Sequence, residues 1–152
     1  MALDFDAVQD CLNQSLIERL DEDKWRRKND CAEDGAGGGC NESPPVATSG
    51  LTNHLKKISK QMDVYQHRIW QLKDRLSCEI YGPSSQAMTD ELMDRCNLKV
   101  DRNSQDYIRV LRTVLMTEIE YYSVLMEREK GDPDYESQTV LRARSQTKDR
   151  QQ

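Results

Sequence analysis

The sequence predicts an all-α protein: an elongated helical bundle or coiled coil with a flexible Gly/Pro-rich linker and a disordered C-terminal tail. Three observations point there. Apolar residues in 51–81 recur at alternating steps of 4 and 3, glycine and proline cluster between periodic segments, and strand-forming residues nowhere alternate for more than a few positions. Only 36% of the 152 residues are apolar and 32% are charged, so a self-sufficient core would be thin and a bundle sharing its core with partners is the more natural use of the composition. Four regions follow: an N-terminal amphipathic helix in 1–30, a linker in 31–50, a coiled-coil or helical-bundle region in 51–133 and a disordered basic tail in 134–152.

The first helix is expected over residues 4–28. Phe5, Val8, Leu12, Leu16 and Leu20 form an amphipathic stripe, Asp4, Asp6 and Asp10 favour the positive end of the helix dipole, and Arg26, Arg27 and Lys28 favour the negative end. The acid-rich run 18–23 reads as a solvated face, or more sharply as a dock for a basic partner. Residues 31–50 contain five glycines and the pair Pro44-Pro45, which breaks regular structure. Gly35, Gly37, Gly38 and Gly39 do not make a phosphate-binding loop, because no strand precedes them and no Lys-Ser or Lys-Thr follows at the needed spacing.

In 51–81 the seam is Leu51, Leu55, Ile58, Met62, Tyr65, Ile69, Leu72 and Leu76, a heptad pattern that keeps one helix face turned to a partner helix. Leu55, Met62, Ile69 and Leu76 take a positions, and Leu51, Ile58, Tyr65 and Leu72 take d. The flanking e and g positions hold Thr52, His54, Ser59, Gln61, Gln66, Arg68, Lys73 and Arg75, none of them acidic. Such positions set partner choice, so Arg68, Lys73 and Arg75 are the expected selectivity residues. In a parallel homodimer these charges would face their own copies, and Met62 and Tyr65 are poor choices for a tight dimer seam. A heterotypic or intramolecular partner is therefore expected. Trp70 lies off the seam at b and favours three or four helices over a two-stranded coil.

Gly82-Pro83 stops this helix. A short helix around Met88, Leu92, Met93 and Cys96 follows, then a strong helix over 104–130 with Ser104 as its N-cap. Its apolar face, including Ile108, Leu111, Leu115, Ile119, Tyr122 and Leu125, is broad enough to need more than one neighbour. Gly131 and Pro133 end it. The tail beyond is polar and carries Arg142, Arg144, Lys148 and Arg150.

Charge and motifs narrow the function classes. The net charge of −5 argues against a dedicated nucleic-acid binder, whereas 51–81 by itself carries +3. No run approaches the roughly 20 apolar residues that cross a bilayer, so membrane insertion is not expected. The acidic start lacks the marks of a signal peptide or mitochondrial presequence, which favours cytosol or nucleus. Five cysteines, Cys11, Cys31, Cys40, Cys78 and Cys96, without any Cys-x-x-Cys pair, read as reduced thiols. The histidines, His54 and His67, both fall on the heptad helix, and no triad, nucleophile elbow, metal motif or phosphate loop is present. Catalysis, a cofactor, a bound metal and a small-molecule substrate are not expected. The expected role is that of a non-catalytic helical subunit or adaptor in a hetero-oligomeric coiled-coil complex, partnered by other helical proteins. In outline only, small subunits of kinetochore, spindle, vesicle-tethering and transcription-coactivator assemblies look like this. The alternatives are a homo-oligomeric coiled-coil scaffold and a nucleic-acid-associated adaptor that uses the basic tail.

Overall fold

Among the described residues five helices pack into a bundle, and several of their ends carry a signal in the local sequence. The computed structural model describes residues 3–36 and 47–151, and the rest of the expected linker, 37–46, lies outside the described residues. The helices are α1 (Phe5–Ala36), α2 (Ala47–Cys78), α3 (Pro83–Arg95), α4 (Gln105–Glu129) and α5 (Gln138–Gln151), with no strand among the described residues.

Asp4 opens α1: its carboxylate accepts hydrogen bonds from the backbone N–H of Asp6 (3.0 Å) and Ala7 (3.3 Å), two of the donors that a helix start leaves unpaired. The helix then runs to Ala36, past the expected end at residue 28. Ser104 caps α4 by accepting from Tyr107 N–H at 3.2 Å. α3 begins with Pro83 in its first turn and closes with Asn97 in the left-handed region (φ 56°). Asn97 N–H donates to Asp94 O (3.2 Å) and Leu98 N–H to Met93 O (2.8 Å), the paired bonds of a Schellman stop. Gly131, at φ 142°, supplies a backbone conformation that a side chain would strain, and it turns the chain after α4.

α4 is the centre. α2 runs antiparallel to it, since Tyr65 meets Tyr122 while Arg112, near the other end of α4, donates to the carbonyl of Leu76 at 3.3 Å. α1 runs parallel to it, with Arg19 paired to Glu118 and Arg27 to Glu129. The core has two parts. Val8 and Leu12 meet Leu92, Met93, Tyr107, Val110, Leu111 and Val114 at one end. Leu16, Ile17 and Leu20 meet Tyr65, Val124, Leu125, Val140 and Ala143 at the other.

Three expectations need correction. The C-terminal segment is not structureless: α5 forms there, with Val140 and Ala143 buried against α1 and α4. Ser137 starts it by accepting from Val140 N–H at 3.2 Å, and Arg144 bridges Glu136 to Asp21 of α1. Two small apolar side chains in a polar stretch give a weak pattern, and what makes this helix stable is its packing surface. Second, Cys11 of α1 and Cys96 at the end of α3 are paired as a disulfide, not left as separate thiols, with Cα atoms 6.3 Å apart. They are 85 residues apart in the chain, and only the folding of α1 and α3 onto α4 brings them together. Cys78 is a free and exposed thiol. Third, Trp70 is 63% exposed, so the bundle that it was expected to signal does not use it.

Candidate interaction surface

The seam of α2 is divided. Tyr65, Ile69 and Leu72 are buried and Leu76 half-buried, all in the half that faces α4. Toward the N-terminus the same stripe opens: Met62 and Ile58 are half-buried and Leu55 is 57% exposed. The side chain of Leu51 lies outside the described residues. The reason is length. At the register set by Tyr65 and Tyr122, α4 reaches Glu129 while α2 still has about three turns left toward Ala47.

The face expected on α4 is mostly engaged within the chain. Leu111, Leu115 and Leu125 are buried, Ile119 and Tyr122 are half-buried, and Ile108 is exposed. Of its acids, Glu118 pairs with Arg19, Glu129 with Arg27 and Glu127 with Lys130, while Glu120 accepts from Ser137. The basic residues of α2 are therefore not matched by α4. Arg68 and Lys73 are exposed, and Arg75 donates to Ser85 Oγ at 3.4 Å.

The acid-rich face of α1 has found its basic partners in the same chain. Asp21 pairs with Arg144, Glu22 with Arg26, and Asp23 with both Arg27 and Arg128. Arg128 is fully buried and joins three elements: it donates to Asp23 (3.0 Å), to Leu20 O (2.9 Å) and, through Nε, to Tyr135 O (3.1 Å). Arg19 loses hydration by burial, yet its hydrogen bond and charge contact with Glu118 raise its pKa overall. Its guanidinium also lies 3.9 Å from the centre of the Tyr121 ring.

One open groove runs along α2. About 580 Å³ in volume, it is lined by Lys60, Val64, Arg68 and Gln71, with Tyr122 of α4 on one side and Asp63 and His67 on the other. The ring of His67 stacks near that of Trp70, centroids 6.3 Å apart. Heptad reasoning assigns only Arg68 in this groove, because it examines the positions beside the seam and passes over the next face. A smaller hollow of about 180 Å³ lies among α1, α3 and α4, and its Arg19 and Glu118 neutralise each other. Among the described residues, no three His, Cys, Asp or Glu side chains converge as a metal-binding group. No helix of the described residues is long and apolar enough to cross a membrane. Comparison with protein-family models, with curated proteins and with solved structures finds no match to this chain.

Proposed function

We propose that this protein is a non-catalytic helical subunit or adaptor that holds a helix of another protein along α2. The observation that supports this reading is the divided seam: one continuous heptad stripe, covered by α4 from Tyr65 onward, half-buried at Met62 and Ile58 and exposed at Leu55. A partner helix laid there would bury those three side chains and lengthen the bundle into a coiled coil. Exposed apolar groups at regular helical spacing are the usual anchors of helix recognition. The partner is heterotypic in this reading, because a second copy would bring Lys56, Lys57 and Lys60 against the same charges. A role for the C-terminal segment on nucleic acid has less support, since Arg144 is already paired with Asp21 and Glu136. The working place in this reading is cytosol or nucleus, where the reducing milieu would open the Cys11–Cys96 disulfide to two neighbouring thiols.

The test is co-elution of the tagged chain with its complex from cell extract, compared with a variant carrying Leu55→Asp and Ile58→Asp. The variant should keep its circular dichroism spectrum and shift from a large species to a free monomer. An unchanged large species would remove α2 as the binding element.

A further inference from the structure

The structure assigns to the groove beside α2 an acidic amphipathic helix as its occupant; this deepens the adaptor reading and rests on it. Lys57, Lys60, Val64, Arg68, Gln71 and Arg75 follow one another at steps of 3, 4, 4, 3 and 4, so they form a single stripe on one face. The stripe is about 27 Å long. Lys57, Lys60 and Arg68 are exposed, and among the described residues none of them is in an ion pair. The four glutamates of α4 are engaged elsewhere, by Arg19, Arg27, Lys130 and Ser137. Val64, 56% exposed, and Tyr122 supply apolar floor between the charges.

A stripe with cations one or two turns apart and an apolar centre matches a helix that carries carboxylates at the same spacing around an apolar residue. It fits a nucleic-acid backbone poorly. Asp63 lines the same groove, Asp74 lies a few residues on, and the chain as a whole carries −5. A second copy of the chain would present the same positive stripe. The geometry also revises the selectivity set: Lys57 and Lys60 join Arg68 and Arg75, while Lys73 projects from the opposite edge of the seam and drops out.

The experiment uses the full chain and three labelled amphipathic helical peptides that share one leucine seam and carry Glu, Gln or Lys at the flanking positions. Fluorescence anisotropy at low salt should give the Glu peptide about tenfold tighter binding than the Gln peptide, as a few exposed ion pairs would. That advantage should vanish at about 0.5 M salt. Lys60→Glu with Arg68→Glu should reverse the order in favour of the Lys peptide, and Lys73→Glu should leave it unchanged. Circular dichroism of each variant checks that the fold persists. Equal binding of the Glu and Gln peptides, both weakened by Leu55→Asp, would overturn the acidic partner and leave the adaptor reading standing. Binding of none of the three would overturn both. A loss with Lys73→Glu as large as that with Arg68→Glu would overturn the assignment of the stripe, and a duplex oligonucleotide bound as tightly as the Glu peptide would overturn the choice of occupant.

Discussion

Tyr65 of α2 and Tyr122 of α4 meet with ring centroids 6.1 Å apart and planes tilted by 38°, and this contact marks where the α2 seam passes from covered to open. On the C-terminal side of it Ile69 and Leu72 are core. On the N-terminal side α4 has ended, and Leu55 of the same pattern is exposed.

The two halves should respond differently to truncation. Leu115, fully buried in α4, should cost about 2–5 kcal/mol when changed to Ala, from lost burial and the cavity left behind. Leu55→Ala, at a site 57% exposed, should stay within about 0.5 kcal/mol. Urea unfolding of the two variants measures both. A Leu55→Ala loss as large as that of Leu115→Ala would mean that the first turns of α2 are covered within the chain.

Arg128→Met should destabilise the protein by about 2–4 kcal/mol, because it removes charge-assisted hydrogen bonds from a buried site. Asp23 would keep Arg27 as a partner, which limits the loss. The carbonyls of Leu20 and Tyr135 would lose the donor that joins α1, α4 and the turn before α5. Thermal unfolding should therefore move downward by roughly 5–15 °C. A shift under 2 °C would show that this junction is held by packing alone.

Alkaline pH should weaken the fold through two phenols. Burial raises the pKa of Tyr65 and Tyr121 above the ordinary value of 10.0. Their contribution is fully present below pH 10, where both states keep the proton, and is lost as pH rises through the higher folded-state values. Denaturant midpoints measured between pH 8 and 11.5 should be flat at first and then fall. Tyr65→Phe and Tyr121→Phe should each make that fall shallower, and an unchanged slope in both would contradict the burial of the two hydroxyls.

The disulfide between Cys11 and Cys96 closes a separation of 85 residues. Under oxidising conditions Cys96→Ser should cost about 2–4 kcal/mol, mainly by freeing the unfolded chain. In excess dithiothreitol the wild type and the variant should unfold at nearly the same urea concentration. Alkylation before and after reduction should reveal two more newly released thiols in the wild type than in the variant. A wild type insensitive to reductant would show that α1 and α3 are held on α4 without the bond.

How much of this was legible in the sequence differs from element to element. Periodicity of 3.6 places the helix centres, and Ser104, Gly82-Pro83 and Gly131 place ends, because those signals act within a few residues. α5 was not legible: Val140 and Ala143 make a helix face only once Leu16, Ile17 and Leu20 are there to receive them. The cysteine pair and the three-way junction of Arg128 are also products of long-range packing, invisible to spacing. At the candidate interaction surface the seam was readable from Leu55 to Leu76. Which half stays open was not, because that depends on where α4 stops relative to α2. The basic residues were visible too, while the stripe through Lys60 and Val64 lies off the seam edges that heptad positions single out.

Light scattering coupled to size-exclusion chromatography on the pure full chain, over a hundredfold concentration range, tests most directly whether the open turns of α2 await a different protein. The account predicts a helical monomer of 17.6 kDa at every concentration. A dimer or tetramer that persists on dilution, and that Leu55→Asp dissociates, would contradict it by showing that a second copy covers the seam.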